Sequence, residues 1–370
     1  MKKNQSPSAC PVRAVNPMSK AKDIAYIRLG RRNLKSSLRY YLDFGLSLLE
    51  KTEERILFHG HGSNFPCWSI EKNKRDVLLG LGFYISSKED FERLKTLEGA
   101  KFFPSGRFGE SPFVNVTDPS GLSVDAVFSE VFEDLMSPEI SQKKFWNAPG
   151  KTERINLPRP FESGPAKVIR LGHAVLLKQE FLKNAQWYCD TFGLIPSDIQ
   201  ILPGSKEPVI VFLRCDGGDK LTDHHTIVIA NGIDDRLEHC AFELEDLDEV
   251  AKGREWLLGK GWKSAWGIGR HLLGSQIFDY HRDPTGMLVE HYSDGDKFDE
   301  TVPIGYHWIN RKSLYQWGED MPKNFLDLTL SFHKLKELLK GIFSGKEISM
   351  DTLLALQKTM KISPRNWIKY

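Results

Sequence analysis

Long hydrophobic runs are missing from this 370-residue sequence. No stretch approaches the roughly 20 apolar residues that cross a bilayer, so no membrane-spanning helix is expected. Charge of one sign is missing too. Lys and Arg number 51 against 49 Asp and Glu, a formal net charge of +2, which leaves no electrostatic footprint for nucleic acid or an anionic membrane. Cysteine is sparse, and Cys10, Cys67, Cys189, Cys215 and Cys240 fall in no CxxC or CxH pair. That spacing excludes a disulfide framework and a zinc site, and reads as reduced thiols in a cytoplasmic protein. The first residues, MKKNQSPSACPVRAVNP, carry positive charge with no apolar core behind it, unlike a secretory signal. Gly267-Ile268-Gly269 and Gly217-Gly218 are loop punctuation, because no Gly-x-Gly-x-x-Gly follows a strand and opens a helix.

What is present is a repeat. Residues 1–20 are polar and dotted with Pro and Ser, and read as a flexible arm. A strand pattern (IAYIRL) then leads into a helix pattern over Leu34–Phe44. A second Pro-rich stretch, 147–165, reads as a linker, after which the pattern restarts with a strand at Val168–Leu177 and a helix at Glu180–Phe192. Leu34–Leu46 (LKSSLRYYLDFGL) aligns without gaps on Leu182–Leu194 (LKNAQWYCDTFGL), and Asp118–Asp125 (DPSGLSVD) on Asp283–Glu290 (DPTGMLVE). Between them Phe83–Phe91 parallels Phe242–Val250. A duplication explains this, with the strand–helix–strands order occurring twice per half. The expected fold is α+β: four βαβββ modules paired into two half-barrel domains, 21–146 and 166–300, followed by a partly helical extension over 301–370. In that extension 324–342 and 349–360 have helical spacing, the second with Ser349 as N-cap.

The two halves differ in their histidines. Carried along the ungapped alignment, His173 falls opposite Ala25, His239 opposite Gly80 and Glu290 opposite Asp125. One half holds two imidazoles and a carboxylate at strand positions where the other has lost both imidazoles. Structural histidines have no reason to segregate so, whereas metal ligands do: once one is lost the others drift. His173 (RLGHAVLL), His239 (RLEHCAFEL) and Glu290 (MLVEHYS) each lie in a short strand pattern. Alternation puts His239 on the face opposite Cys240, Phe242 and Leu244. A carboxylate on the inner face of a curved sheet is costly unless paired or metal-bound. Two histidines and one carboxylate form the facial triad that suits non-haem iron(II) and leaves neighbouring positions open.

Around Glu290 the order is Gly269-Arg270-His271, a spacer of seven residues, Asp279-Tyr280, two residues, Asp283-Pro284-Thr285-Gly286, three residues, Glu290. This resembles the signature of type I extradiol ring-cleavage dioxygenases of the vicinal oxygen chelate superfamily, over roughly residues 23–300. Asp279 departs from it, standing where the family has an apolar residue; the expected effect is on strand packing or polarity behind the site. The resemblance implies an iron(II) centre (manganese(II) being the alternative) on His173, His239 and Glu290, a catecholic substrate and dioxygen as partners, and a homo-oligomer. It further implies a histidine acting on dioxygen and protons. The local His-His-Thr-aliphatic pattern selects His225, while counting fifteen residues back from His239 selects His224. His271 and Tyr280 would hydrogen-bond the substrate oxygens.

Three other readings share parts of this pattern. Relatives of 4-hydroxyphenylpyruvate dioxygenase use the same donor set but end in a Gly- and Asn-rich stretch followed by a helix over the site; no such segment follows Glu290, and the His271/Tyr280 pair fits the extradiol class better. Glyoxalase-type lyases and isomerases need a fourth protein ligand. Bleomycin-sequestering modules are shorter and hold no metal. His59 and His61 (FHGHGS) read as a turn, His291 should face away from the metal, and His281 is expected at the pocket entrance. Asp198, Asp216, Asp219 and Asp223 read as solvated. Tyr306, His307, Trp308 and Trp317 are candidates to cap the cleft. Which catechol is cleaved is not legible.

Overall fold

The computed structural model describes residues 10–109, 111–129, 147–158, 162–322, 325, 341 and 350–361. One module, a strand, a helix and three strands, occurs four times. The first comprises β1 (Ala21–Arg31), α1 (Leu34–Phe44), β2 (Ser47–Lys51), β3 (Arg55–His59) and β4 (Trp68–Lys72). The second comprises β5 (Val77–Ile85), α2 (Lys88–Leu94), β6 (Lys101–Phe103), β7 (Phe113–Thr117) and β8 (Ser123–Phe128). In the third, β9 (Arg170–Lys178) and α3 (Phe181–Phe192) precede β10 (Ile195–Ile201), β11 (Pro208–Arg214), a short β12 (Thr222–Asp223) and β13 (Ile227–Asn231). The fourth comprises β14 (Arg236–Glu243), α4 (Leu247–Gly259), β15 (Lys263–Arg270), β16 (Ile277–Arg282) and β17 (Leu288–Ser293). Beyond it lie β18 (Lys297–Phe298), β19 (Gly305–Trp308), a 3-10 turn (Arg311–Leu314), β20 (Trp317–Gly318) and α5 (Met350–Lys361). The expected first helix of the extension, 324–342, lies outside the described residues except for Phe325 and Gly341, as does Ser349.

Local chemistry sets the helix starts. Side chains of Asn33, Ser87 and Asp246 accept the backbone N–H of Ser36, Asp90 and Glu249, satisfying donors that the first helical turn leaves open. Each half then folds into one mostly antiparallel sheet, ordered β2-β3-β4-β1-β5-β8-β7-β6 and β19-β10-β11-β13-β9-β14-β17-β16-β15-β20. Two strands of the extension therefore form the edges of the second sheet. Among the described residues no helix is long and apolar enough to cross a membrane.

The Asp-Pro-x-Gly turns hold the halves together. Asp283 receives Arg31 Nη2 at 3.2 Å and the Tyr41 hydroxyl at 3.1 Å, both from the first half. Asp118 receives Lys178 Nζ and, at 3.3 Å, the Tyr188 hydroxyl, both from the second. Each aspartate's other oxygen accepts two backbone N–H groups of its own turn: Ser120 and Leu122, or Thr285 and Met287. The motif thus closes a turn and clasps the opposite half, a reciprocity expected of a duplication. Between the clasps, Phe44 stacks on His291 with centroids 3.8 Å apart, and Phe242 meets Trp68.

Residues 10–20 are not a loose arm. Val12 N donates to Gln186, Arg13 pairs with Asp216 and Glu300, and Ser19 is fully buried with its hydroxyl on Thr191 O. The arm lies along the second half because its backbone finds partners there, which composition does not reveal.

Candidate metal centre

The site is built on three adjacent strands. Ala241 of β14 stands opposite His173 of β9 on one side and Glu290 of β17 on the other. His239 lies two residues from Ala241 on the same face. On the far side of β17, Tyr280 of β16 is in register with Glu290. His173 Nε2 and His239 Nε2 lie 3.6 and 3.4 Å from Glu290 Oε2. One donor atom from each residue falls within a set no wider than 4.8 Å.

These donors fit a metal ion on physical grounds. Glu290 is fully buried, yet neither carboxylate oxygen has a hydrogen-bond partner, since 3.4–3.6 Å is too long. A buried carboxylate so left costs several kcal/mol unless a cation completes it. Burial alone would push its pKa up, but the imidazoles of His173, His239 and His271 outweigh it and hold the group well below the ordinary range. Burial likewise lowers His173. At His239 burial is overcome by the Glu238 and Glu290 carboxylates, which push it up to about 9. Glu238 hydrogen-bonds His239 Nδ1. That contact holds the proton on Nδ1 and presents Nε2 as a donor, the usual arrangement behind a ligating histidine. Gly172 has no side chain, and none fits: a Cβ there would lie 2.0 Å from the Tyr292 hydroxyl, and Tyr292 packs on the His173 ring at 5.5 Å.

A cavity of about 290 Å³ opens over the triad, lined by His173, His239, His225, His271 and Tyr280, with apolar walls that include Phe212, Trp266 and Leu273. His225 sits in it, its ring 4.1 Å from that of His173. Burial, with His173 and His224 beside it, lowers the His225 pKa well below the usual value. His224 does not line the cavity; it lies behind His225 and bonds to Asp198. His271 Nδ1 donates to Leu314 O at 2.7 Å, leaving Nε2 to accept from the Tyr280 hydroxyl at 2.9 Å. Burial and the Glu290 charge raise Tyr280 well above an ordinary phenol, so it stays an O–H donor.

Several expectations are corrected. Strand pairing places Tyr26, not Ala25, at the position of His173, because Gly82 pairs with Tyr26 as Ala241 pairs with His173. The ungapped alignment misses this because α3 is one residue longer than α1. Gly80 does correspond to His239, and Asp125 to Glu290. In that half the counterpart carboxylate is neutralised by protein alone, bonded to Arg107, the Tyr26 hydroxyl and Asn115. His281 is not at the pocket entrance; fully buried on the outer face, it bonds to Asp279 at 2.6 Å, which Arg254 also reaches at 2.7 Å. Asp279 is thus paired behind the sheet. His291 faces away from the site as alternation requires, bonded to Phe44 O at 2.8 Å. Asp198, Asp216 and Asp223 are not solvated: they pair with His224 and His307, with Arg13 and Lys20, and with Arg170 and Lys297.

Sequence reasoning also missed residues. Glu238 was invisible because alternation turns it away from His239; a bulge between Leu237 and His239 brings it back. The extension supplies Leu314 O, which holds His271, and α5, whose Leu354, Leu356 and Met360 roof the cavity. Tyr315 and Phe325 pack on Trp266, while Trp317 is on the exposed edge strand β20.

Comparison with known proteins agrees with this architecture. Residues 170–291 match the Glyoxalase/Bleomycin resistance protein/Dioxygenase superfamily. That match falls within the second half, and the chain has the vicinal oxygen chelate fold. Metapyrocatechase 2 of Cupriavidus necator is 26% identical over 341 residues, covering 88% of this chain and 95% of that protein. Homoprotocatechuate 2,3-dioxygenase of Brevibacterium fuscum, in an anaerobic complex with 3,4-dihydroxyphenylacetate, superposes with a TM-score of 0.67 at 16% identity, covering 85% of this chain and 94% of that one. An Mn(II)-bound glyoxalase of Novosphingobium aromaticivorans superposes at 0.64 and 21% identity, over 82% of this chain and 94% of the other.

Proposed function

We propose that this chain is an extradiol dioxygenase that inserts both atoms of dioxygen into a catechol-type ring, with iron(II) held by His173, His239 and Glu290. The observation that carries the reading is the buried Glu290 carboxylate, without a hydrogen-bond partner, between two imidazoles and beneath a cavity that also holds His225, His271 and Tyr280. The similarity to a metapyrocatechase along nearly the whole chain supports it. Two histidines and a carboxylate with neighbouring positions open form the facial triad of non-haem iron(II) oxygenases, with manganese(II) the alternative.

When bound, the metal would bring diol and dioxygen together and carry electron density between them. The protein's part is to place and protonate. The apolar walls desolvate the ring. The Tyr280 hydroxyl and His271, locked by Leu314 O, stand beside Glu290, where a diol oxygen would arrive. His225 stands on the other side, against His173, as the acid–base group facing dioxygen.

The test is anaerobic loading of the full chain with iron(II), then addition of a catechol panel and air. A yellow ring-opened product with one dioxygen consumed per catechol is expected. Metal-dependent turnover that needs no oxygen would contradict the proposal and point to a glyoxalase-type reaction.

A further inference from the structure

The cavity reaches well beyond the triad, and its far end holds a buried amide. Period-two alternation sends His173, Val175 and Leu177 of β9 into the cavity. Neighbouring strands extend these rows. Val228 and Ala230 of β13 stand beside Val175 and Leu177, Ile210 of β11 opposite Ala230, and Gln200 of β10 opposite Ile210. Gln200 therefore lies in the row of Leu177, four residues along β9 from His173. At about 3.3 Å per residue, that row is roughly 13 Å from the metal-binding one. The floor between them is aliphatic, and Met360 of α5 lies in the roof.

Gln200 is 1% exposed and lines the cavity, yet its Oε1 accepts no hydrogen bond among the described residues. His307 stands beside it in the sheet but turns its Nε2 to Asp198 Oδ1, 2.8 Å away. An unmet buried amide oxygen is costly, and a ligand that meets it recovers that cost. The row offers no spare cation. Arg236, the one lysine or arginine among the described lining residues, stands opposite Leu177 and is held by Asp234. A carboxylate bound there would lose its hydration without gaining a counter-charge, whereas a neutral polar group needs only the amide.

We infer that Gln200 marks a second subsite, which binds a neutral hydrogen-bonding group at the far end of an apolar arm on the substrate. A hydroxyl suits it: the group donates to Oε1 and accepts from Nε2, so it satisfies the amide in either orientation. The substrate class is then a diol whose ring carries an alkyl or aryl arm ending in a hydroxyl. Discrimination follows from the same amide, because an arm ending in a methyl group seals Gln200 from water without giving it a partner. The ring end of this assignment rests on the ring-cleavage reading; the arm end rests on Gln200 and the cavity walls alone.

The test uses catechols bearing a propyl, butyl or pentyl chain on either ring position, each as the plain alkyl, the terminal alcohol and the terminal acid. Anaerobic calorimetry on the full chain, with and without iron(II), gives Kd; oxygen uptake by the iron-loaded chain gives kcat/KM. At one chain length or more, the alcohol should surpass both the alkyl and the acid by at least about tenfold in each quantity. In Gln200→Leu, which keeps the bulk and removes the amide, the alcohol-to-alkyl ratio should fall to about twofold or less. A structural role for Gln200 would instead weaken every ligand alike and leave the ratio. Alkyl arms that match the alcohol at every length, a preference for the acid, or a ratio unchanged in the variant overturns the inference. If the variant does not fold, the wild-type ratios decide. Ring cleavage without preference for the alcohol refutes the subsite and leaves the ring-cleavage reading standing. Binding that prefers the alcohol through Gln200, with no oxygen consumed, refutes the ring-cleavage reading and leaves the subsite.

Discussion

Replacing Asp118 by Ala tests how the two halves are held together. Lys178 is 3% exposed and its ammonium has the fully buried Asp118 carboxylate as its counter-charge. Removing one member of such a pair leaves the other buried and uncompensated, at a cost of about 3–5 kcal/mol. The turn also loses the acceptor for Ser120 N and Leu122 N, each 2.9 Å away, at about 1 kcal/mol per bond if water does not replace it. The expected loss is therefore roughly 5–7 kcal/mol. With an m-value of about 3 kcal/mol/M, urea unfolding should shift its midpoint down by about 1.7–2.3 M. The double variant Asp118→Leu with Lys178→Met removes both charges, so it should recover most of the pair's share; the turn bonds remain lost. A single variant within about 1 kcal/mol of wild type would refute the argument, because Lys178 would then have found water or another anion. Asp283→Ala, which strips Arg31 and Tyr41 of their partner, should behave alike.

Two further outcomes follow from the site. Glu238→Gln weakens the hold on His239 Nδ1, so iron(II) affinity should fall by about 10–100-fold, read by competition with a chelator. Unchanged affinity would mean Glu238 does not orient the ring. Met360→Trp adds bulk to the roof of the cavity, so KM should rise at least about tenfold for a catechol bearing an aryl group, and by less than about twofold for catechol itself. Equal effects on both would remove α5 from the substrate cavity.

The repeat, the strand patterns and the acidic turns were legible because period two, helix caps and Asp-Pro-x-Gly are local signals. The triad was legible for a related reason: a duplicated chain supplies its own comparison, and His239 and Glu290 stood out against Gly80 and Asp125. What could not be read is what breaks the period or comes from afar. One extra residue in α3 shifted His173 onto Ala25 instead of Tyr26. The bulge before His239 hid Glu238. Asp198 looked like a hairpin residue because its partners, His224 and His307, lie 26 and 109 residues away. The roles of Leu314 and α5 are likewise non-local: nothing in a carbonyl or an apolar helix face announces which cavity it will meet. The arm at 10–20 was misjudged for the same reason, since polar composition does not exclude partners elsewhere in the chain.

The most direct test of the central claim is metal content and ring-cleaving activity measured together in wild type, His173→Ala, His239→Ala and Glu290→Ala after anaerobic loading with iron(II). The account predicts about one iron per wild-type chain, with both metal and activity lost in each variant. A Glu290→Ala protein that keeps its iron and still opens catechols would contradict it.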